Sequence, residues 1–493
     1  MESDIMESSI MESDINWLDL PDKTWELIFS NLNKRHLLKT SATCKKFNDV
    51  FSTSQHLIKN FRLRIGKRIL YHSGFNNALE LECANLKSIG ELKLMKECIQ
   101  MSKRKYDSIM ICALTNRKTK NNIVDVIVDI LIQFARSVEQ IIFHNAVLQE
   151  DGFFKIIQTM KNLKVLEFEG YLCSICQPEA VMEVVRSDTL PSINKISIKT
   201  VEERFSFQKL HLFDYVTTLE VEGCDRDYKT FDSFLLIQQQ LKVLYLSNLQ
   251  SLFKTENINF TLEELTLHKV YWNENEIAMK FFRTQTNLKK VTLYLQNFIF
   301  NRLDKKKWYN ELLMHLFGNN LHLRTVKLSS CQYNITDFSF LEGIVNPSVE
   351  NLNLNINRSQ NAAELVATLI KLFPNVKNLT YTVRNGLDHG LDQIHNWKSL
   401  ESLNCNLEDI NEFYNNIDSW EKLTTCTISY SYEDCLRKPK MMEFLTNHQN
   451  IKHFSLNPRF NTTVPDEILS SIVNTLKSLE TLICNGKSVP CNQ

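Results

Sequence analysis

The chain has 493 residues, of which 43% are hydrophobic and 23% are charged, a composition typical of a folded domain rather than a disordered or membrane-embedded one. Lysine plus arginine and aspartate plus glutamate number 57 each, so no overall field favours nucleic acid or an anionic membrane surface. No run of about 18 apolar residues is present. We therefore expect no transmembrane helix, no membrane partner and no nucleic-acid partner.

The first 16 residues repeat the motif MESDI with small variations and contain five acidic residues but no basic one. A secretory leader has the opposite pattern, since it begins with basic residues and continues into an apolar segment. We predict a disordered acidic leader over residues 1–16 and a cytoplasmic or nuclear protein. The thirteen cysteines are then expected to be reduced thiols.

Residues 17–52 have the pattern of a small helical module. Pro21 favours a helix start directly after it. The first helix is predicted from apolar residues at the i, i+3, i+4 and i+7 spacing of one helix face, namely Trp25, Ile28, Phe29 and Leu32. Two further short helices are predicted around Leu37, Leu38 and Ala42 and around Cys44, Phe47, Val50 and Phe51. Three helices of this length bury little surface, so we expect part of their apolar surface to meet something else.

The order of apolar, basic and cysteine positions in this module resembles an F-box. The resemblance is carried by Leu20-Pro21, the helix from Trp25 to Leu32, Leu37-Leu38 and the run Cys44-Lys45-Lys46-Phe47. It implies docking on a Skp-type adaptor, which links F-box proteins to a cullin-based ubiquitin ligase. The adaptor contact is assigned to Leu20, Pro21, Trp25, Ile28, Phe29, Leu32, Leu37 and Leu38. The alternative is that these helices only cap the repeat array that follows, since solenoids need caps with a polar outer face.

A bridging segment, partly helical, is predicted for residues 53–105, and a repeat array for residues 106–493. The array repeats an octet that reads KNLKVLEF at 161–168 and KSLESLNC at 398–405, with three apolar residues in the order L-x-x-L-x-L. The first apolar positions are Tyr106, Val138, Leu163, Ile193, Val216, Leu241, Leu262, Leu288, Leu323, Val349, Val376, Leu400, Leu423, Ile451 and Leu479. They lie about 27 residues apart on average, within the roughly 20–29 typical of leucine-rich repeats.

The predicted fold class is therefore α/β. We expect a leucine-rich-repeat solenoid of about 15 irregular repeats, with a curved parallel sheet inside and helices outside, preceded by the three-helix module. The clearest predicted helices of the array are Ala362–Phe373, Asp304–Phe317 and Glu467–Leu476. The second and third apolar positions of each octet should point into the core, because strand side chains alternate.

The variable residues of the strands should face away from that core. Those of the first half are largely charged or aromatic, and we propose them as substrate contacts: Glu167, Glu169, Lys195, Lys199, Glu220, Glu222, His268 and Tyr294. The alternative is that opposite charges on neighbouring strands pair and only solvate the sheet. From Asn351 onward the same positions carry Asn, Ser and Thr, which either form side-chain ladders or line a neutral hydrogen-bonding groove.

No phosphate-binding, dinucleotide-binding or hydrolase motif is present, and Cys173-x-x-Cys176 has no second pair at zinc-like spacing. We therefore predict no cofactor, no metal site and no catalytic residue. The predicted function is that of a non-catalytic substrate receptor of a cullin ubiquitin ligase, which binds a protein substrate on the repeat array. The alternative is a ligase-independent scaffold or inhibitor built on leucine-rich repeats.

Overall fold

The computed structural model describes residues 18, 20–58, 62–66, 80–82, 93, 96–97, 99, 106–112, 122–170, 174–176, 189–200, 210–223, 228–248, 259–268, 270, 276–294, 303–330, 339–357, 362–384, 390–407, 420–430, 438–458 and 464–490. The predicted leader, residues 1–16, and Cys173 lie outside these ranges. The chain divides into two compact units, Met1–Ile193 and Asn194–Gln493. No described helix is long and apolar enough to cross a membrane.

The N-terminal module consists of four short helices, α1 (Asp22–Ser30), α2 (Lys34–Ser41), α3 (Lys45–Thr53) and α4 (Gln55–Ile58). Pro21 occupies the N-cap position of α1. The Asn33 side chain caps α2 by accepting a hydrogen bond from the His36 amide at 2.9 Å, and Cys44 Sγ accepts one from the Phe47 amide at the start of α3. The three predicted helices are confirmed, and α4 follows them.

The core of the module is built from aromatic and aliphatic residues of all four helices. The buried residues are Trp25, Phe29, Leu37, Val50, Phe51 and Leu57, with Leu20, Leu32 and Phe47 packed against them. The Trp25 and Phe47 rings lie 4.4 Å apart between centroids, and Phe29 meets Phe47 edge-on at 5.3 Å. Aromatic contacts of this kind contribute about 0.5–1.5 kcal/mol each beyond the burial of their area. They join α1 to α3, and the buried Leu37 and Leu57 bring α2 and α4 into the same core, which stabilises helices that are individually too short to be stable.

The described part of the first unit continues with seven strands, β1 (Arg62–Gly66), β2 (Glu80–Glu82), β3 (Ser108–Cys112), β4 (Gln140–His144), β5 (Val147–Gln149), β6 (Val165–Gly170) and β7 (Ser174–Cys176). Strand β1 pairs in parallel with β2 and β3, and the pairing continues from β3 to β4 and from β4 to β6. Strands β5 and β7 form a separate pair. Helices α5 (Asn122–Ile132) and α6 (Glu150–Thr159) connect strands. The sheet thus begins inside the segment predicted only as a bridge.

The second unit carries thirteen described strands. They are β8 (Lys195–Thr200), β9 (Thr218–Glu222), β10 (Val243–Ser247), β11 (Glu264–His268), β12 (Lys290–Tyr294), β13 (Thr325–Ser330), β14 (Asn351–Asn357), β15 (Asn378–Arg384), β16 (Ser402–Leu407), β17 (Thr425–Tyr430), β18 (His453–Pro458), β19 (Thr481–Cys484) and β20 (Lys487–Val489). Each strand from β8 to β18 pairs in parallel with the next in sequence. Strand β20 is antiparallel to β19 and ends the sheet.

Helices connect many of these strands, as parallel pairing requires. The described ones are α7 (Tyr228–Ile237), α8 (Glu276–Thr284), α9 (Leu303–Gly318), α10 (Ala362–Leu372), α11 (Leu391–Ile394), α12 (Lys438–Asn447) and α13 (Asp466–Thr475), with a 3-10 turn at Ser339–Leu341. The predicted helices Asp304–Phe317, Ala362–Phe373 and Glu467–Leu476 correspond to α9, α10 and α13. The unit is a leucine-rich-repeat solenoid of the α/β class.

The repeat register agrees with the sequence pattern along the whole array. Each of the fifteen first apolar positions is buried, and each lies two residues before a strand. In the repeat that begins at Leu163, for example, Leu166 and Phe168 are the buried residues of β6. The C-terminal repeats keep the same register, since Leu479 is followed by β19 with Leu482 buried. The residues at the three apolar positions of the octet therefore form the hydrophobic core of the repeats.

Buried polar side chains tie consecutive repeats of the second unit together. Five repeats carry a buried amide or imidazole side chain at the position three residues before the first apolar position. These residues are Gln238, Gln285, Asn320, Asn346 and His448. Gln285 accepts from the Leu262 amide at 2.8 Å and donates to the Phe260 carbonyl at 3.1 Å, both in the preceding repeat. Gln238 bonds the Val216 amide and the Phe213 carbonyl in the same way. These side chains satisfy backbone groups that would otherwise be buried without partners.

Candidate functional site

Helix α1 presents two consecutive apolar side chains to solvent. Leu27 is 68% exposed and Ile28 is 40% exposed. Because each residue of a helix is rotated by about 100° from the last, Leu27 falls almost opposite Trp25 and Phe29, which point into the core. Leu18, ahead of the helix, is 45% exposed. These exposed side chains contribute little to the hydrophobic core of the module. Exposed leucine and isoleucine side chains are suited to contact with another protein.

The structure divides the eight residues predicted to contact an adaptor. Trp25, Phe29 and Leu37 are buried in the module's own core, and in this arrangement they are not available to a partner. Leu20 and Leu32 are partly buried against that core. Pro21 and Ile28 are exposed, and the side chain of Leu38 lies outside the described part of the structure. The sequence pattern missed Leu27, because Leu27 does not share the helix face by which the core was recognised.

The second candidate surface is the side of the second unit's sheet that faces away from its apolar core, here called the open face. Strand pairing aligns its side chains in three rows. The leading row is Lys195, Thr218, Val243, Glu264, Lys290, Thr325, Asn351, Asn378, Ser402, Thr425, His453 and Thr481. The central row is Ser197, Glu220, Tyr245, Thr266, Thr292, Lys327, Asn353, Thr380, Asn404, Thr427, Ser455 and Ile483. The trailing row is Lys199, Glu222, Ser247, His268, Tyr294, Ser329, Asn355, Thr382, Asn406, Ser429 and Asn457.

At the β8 end of the open face, opposite charges pair across strands. Lys195 Nζ lies 2.6 Å from the Glu220 carboxylate, and Lys199 Nζ lies 3.9 Å from it. Ser197 Oγ donates to the same carboxylate at 3.0 Å. Burial raises the pKa of the Glu220 carboxyl, but the hydrogen bond and charge of Lys195, with help from Ser197 and Lys199, outweigh it, so the pKa lies below its ordinary value. Lys195 and Lys199 thus share the single Glu220 carboxylate as their ion-pair partner.

Further along, the open face carries aromatic and imidazole rings. Ser247 Oγ lies 2.9 Å from His268 Nδ1, and the His268 ring meets the Tyr294 ring edge-on at 4.5 Å. Lys327 Nζ lies 5.6 Å from the centre of the Tyr294 ring. Burial raises the pKa of the Tyr245 phenol above its ordinary value, against an opposing hydrogen bond with Ser247. His268 and Tyr294, both predicted as substrate contacts, therefore belong to one cluster that extends over the four neighbouring strands β10 to β13.

Glu222 lies on β9 within hydrogen-bond distance of the Asn248 side chain, at 3.5 Å. The two remaining predicted contacts, Glu167 and Glu169, lie in the first unit on β6. Glu167 accepts a hydrogen bond from Gln140 at 2.7 Å, and Gln140 in turn accepts from Ser108 at 2.8 Å. Glu169 lies 3.7 Å from His144. Glu222 and Glu167 thus contact uncharged amides, whereas the cross-strand alternative requires opposite charges, and substrate contact by these glutamates stays a prediction.

From β14 onward the open face is neutral, and its rows differ in how they use their hydrogen-bonding groups. In the leading row, Asn378 donates to Asn351 at 2.8 Å, Asn351 donates to Thr325 at 3.4 Å, and His453 bonds Thr481 at 2.8 Å. In the central row, no side-chain hydrogen bond within the described ranges involves Asn353, Thr380, Asn404 or Thr427. The leading row thus uses several of its polar groups in hydrogen bonds between neighbouring strands, whereas these four side chains of the central row make none within the described ranges.

No group of three or more His, Cys, Asp or Glu side chains that could hold a metal ion occurs among the residues that the structure describes. The described cysteines are free thiols, and Cys112, Cys405, Cys426 and Cys484 are buried. Burial raises the pKa of Cys405 and Cys426 far above its ordinary value, so these thiols are unreactive. They serve as small apolar residues of the core.

Residues 17–59 match the family model of the F-box domain, so the resemblance of the N-terminal module to an F-box is confirmed. No curated protein sequence matches the chain. Among solved structures, the chain is similar to a leucine-rich-repeat protein of Leptospira interrogans at 13% sequence identity, with a TM-score of 0.34 over 92% of this chain and 98% of that chain. The leucine-rich-repeat architecture of this chain rests on its own strands, helices and register.

Proposed function

We propose that the protein is a non-catalytic substrate-recognition subunit of a cullin-type ubiquitin ligase. Its F-box domain would bind a Skp-type adaptor, and its open face would bind a protein substrate. The observation that carries the proposal is the F-box match at residues 17–59, within which α1 exposes Leu27 and Ile28. Exposed apolar side chains on a rigid helix are suited to fill pockets on a partner, and such anchors dominate the energy of protein interfaces.

In this proposal the chain holds the substrate close to the conjugating enzyme and takes no part in the transfer reaction itself. A substrate held on the open face is kept near the ubiquitin-loaded conjugating enzyme, and this raises its effective concentration at the site of transfer. The ubiquitinated substrate then becomes a target for ubiquitin-dependent protein catabolism. The proposed locations are the cytoplasm and the nucleus.

The open face is suited to bind a protein substrate for a chemical reason. Its three rows extend over β8 to β18 and combine charged groups, aromatic rings and neutral hydrogen-bonding groups. A protein partner can use all three kinds of contact at once, and interfaces of ordinary size contain this mixture. The predicted substrate contacts Lys195, Lys199, Glu220, Glu222, His268 and Tyr294 all lie on this face.

Co-purification with a Skp-type adaptor tests the proposal. The full chain and its Leu20→Ala/Pro21→Ala variant are each co-expressed with the adaptor, and the adaptor recovered per mole of chain is measured. We expect stoichiometric recovery with the natural chain and a reduced recovery with the variant. Equal recovery from both chains would remove the role assigned to these two residues, and no recovery with the natural chain would remove the proposed function.

A scaffold or inhibitor that acts without a ligase is the second candidate function. It is favoured by one observation: the second unit is compact by itself and carries the entire open face. Under this alternative, removal of residues 1–58 leaves the set of bound proteins and their biological effect unchanged. The deletion stops before Arg62 because β1 pairs with β3 and belongs to the sheet. Under the receptor proposal, the deletion retains bound substrates but ends their ubiquitination.

A further inference from the structure

Lys327 is the exception among the lysines of the open face. Lys195 and Lys199 contact Glu220 at 2.6 and 3.9 Å, and Lys290 contacts Glu264 at 2.8 Å. Lys327 is half-buried in the central row of β13, and no carboxylate within the described part of the chain lies within ion-pair distance of it. The aligned residues on the neighbouring strands are Thr292 and Asn353, both neutral. Lys327 Nζ lies 5.6 Å from the centre of the Tyr294 ring.

Lys327 therefore has a half-buried charge without a carboxylate opposite it within the described part of the chain. Partial burial of a cation removes hydration, and the lost hydration is ordinarily replaced by a carboxylate or by several hydrogen bonds. Even lysines with accessible side chains have a carboxylate partner just ahead of other strands, since Lys289 contacts Glu263 at 2.7 Å and Lys377 contacts Glu350 at 3.0 Å. The position of Lys327, at the junction of the charged and the neutral half of the open face, therefore marks a place for an anion from outside.

The surroundings of Lys327 define what else a ligand would meet. Toward β17 the central row continues with Asn353, Thr380, Asn404 and Thr427, for which no internal hydrogen bond is present within the described ranges. Each of these side chains has both a donor and an acceptor. A charged ligand residue over this stretch would lose hydration without meeting an opposite charge, whereas an uncharged polar residue would exchange water for direct hydrogen bonds. The neutral half of the row thus selects against charge.

The number of positive charges without a carboxylate partner at this junction indicates whether a carboxylate or a phosphate would bind there. A phosphate monoester has a charge of about −1.5 to −2 near neutral pH and is usually bound by several cations. Here a single lysine lacks a carboxylate partner, which matches the single negative charge of an aspartate or glutamate side chain. Tyr294 beside it supplies an aromatic wall against which the carbon chain of such a residue can pack.

We propose that the open face binds an extended segment of a partner protein in which one aspartate or glutamate contacts Lys327, while neighbouring uncharged polar residues lie along the central row from Asn353 to Thr427. This inference rests on the proposed function in taking the open face as the substrate surface. It goes further by naming the chemistry of the recognised segment: one carboxylate followed by neutral hydrogen-bonding residues.

The test uses the full chain and a display library of random dodecapeptides. The library is selected in parallel against the natural chain, Lys327→Met, and the matched control Lys290→Met, which removes a lysine that already has a carboxylate partner. We expect peptides selected by the natural chain and by Lys290→Met to share one acidic position in a neutral polar context. Lys327→Met keeps the unbranched, flexible shape of the side chain, one atom shorter, and removes its charge. The acidic position should therefore disappear from its peptides.

A peptide from this selection is then synthesised with Glu, Gln or phosphoserine at the shared position, and its dissociation constants are measured by fluorescence anisotropy. We expect Glu to bind the natural chain about tenfold more tightly than Gln. The ratio should fall to about 1 for Lys327→Met and persist for Lys327→Arg. Tighter binding of the phosphoserine peptide than of the Glu peptide would overturn the match to a single negative charge and indicate a phosphopeptide site.

A selection that yields no peptide for the natural chain, or peptides without an acidic position, would also overturn the inference. Recovery of a Skp-type adaptor is measured on the same preparations. Normal adaptor recovery together with lost or unspecific peptide binding would contradict only the Lys327 site. Specific peptide binding without adaptor recovery would contradict only the proposed ligase role. The unfolding midpoint of Lys327→Met, compared with that of the natural chain, shows whether this variant is folded, since Lys327 lies in the second unit and the F-box module in the first.

Discussion

The F-box module and the repeat strands use apolar residues in opposite ways. In the repeats, all fifteen first apolar positions are buried, and the exposed apolar residues of the second unit, such as Leu321 and Val345, are scattered singly. In the module, Trp25 and Phe29 fill a small core while Leu27 and Ile28 on the same helix remain exposed as a pair. In the repeats an apolar residue therefore belongs to the scaffold, and under the proposed function the polar residues between the apolar ones would bind the substrate. In the module, the proposed function assigns binding of the adaptor to the apolar residues that the core leaves exposed.

The largest effect on stability is expected where a repeat strand loses a core residue. Leu166 in β6 is fully buried, so Leu166→Ala should lower the free energy of unfolding by roughly 2–5 kcal/mol. The loss should spread to neighbouring repeats, because each repeat is stabilised by its contacts with the next. Urea denaturation followed by circular dichroism measures it. The exposed Lys164→Ala is the control and should change the value by less than about 0.5 kcal/mol. A loss below 1 kcal/mol for Leu166→Ala would contradict the assigned register.

The next largest effect is expected for the buried amide of Gln285. Gln285→Met keeps the volume of the side chain but leaves the Leu262 amide and the Phe260 carbonyl without their partner. Each unsatisfied buried group costs roughly 1–3 kcal/mol, so we expect a loss of about 2–4 kcal/mol in the same denaturation experiment. Gln239→Met, at an exposed position, is the matched control. If both variants unfold alike, the buried amides do not hold the repeats together.

A smaller, pH-dependent effect is expected for the charge cluster at Glu220. The pKa of Glu220 is lowered in the folded protein, so its ion pairs stabilise the fold above the ordinary carboxyl pKa and lose this contribution as the pH falls through the folded-state pKa. Glu220→Gln should therefore be less stable by about 1 kcal/mol near neutral pH. The difference should shrink below the ordinary carboxyl pKa of about 4.5. Thermal denaturation across pH 3–7 measures it, with Glu342→Gln as the exposed control. A difference that grows on acidification would contradict the assigned ion pairs.

Much of the fold was predictable because it depends on periodic burial. The L-x-x-L-x-L spacing locates every described repeat strand from β3 to β19 except the short β5 and β7, and the helix spacing locates α1, α9, α10 and α13. Strands β1 and β2 were missed because they lie outside that repeat pattern. The buried amides such as Gln285 were missed because a polar residue between apolar ones is typical of an exposed turn. Only the pairing of the strands places this side chain between two repeats.

The candidate sites were less predictable, since they depend on what a side chain does not contact. Glu220 and Lys195 could be read as neighbours from the repeat alignment, and the structure pairs them at 2.6 Å. Lys327 looked like any other lysine of the array until the strand register placed neutral residues on both sides of it. Leu27 lies outside the helix face that defines the core, and its 68% exposure follows only from the packing of all four helices.

The smallest effect on stability, joined to a large effect on binding, is expected for Leu27→Asp. Leu27 is 68% exposed, so the free energy of unfolding should change by less than about 0.5 kcal/mol. If Leu27 fills a pocket on the adaptor, a charge at this position should weaken adaptor binding by at least about tenfold, which corresponds to about 1.4 kcal/mol. Leu321→Asp is the matched control, because Leu321 is 69% exposed and lies in the second unit.

The most direct measurement is therefore the dissociation constant of a Skp-type adaptor for the full natural chain, for Leu27→Asp and for Leu321→Asp, taken together with their unfolding midpoints. We expect all three chains to unfold alike, the natural chain and Leu321→Asp to bind the adaptor equally, and Leu27→Asp to bind at least about tenfold more weakly. Adaptor binding that is unchanged by Leu27→Asp, or absent from the natural chain, would contradict the assignment of the exposed α1 surface as the adaptor site.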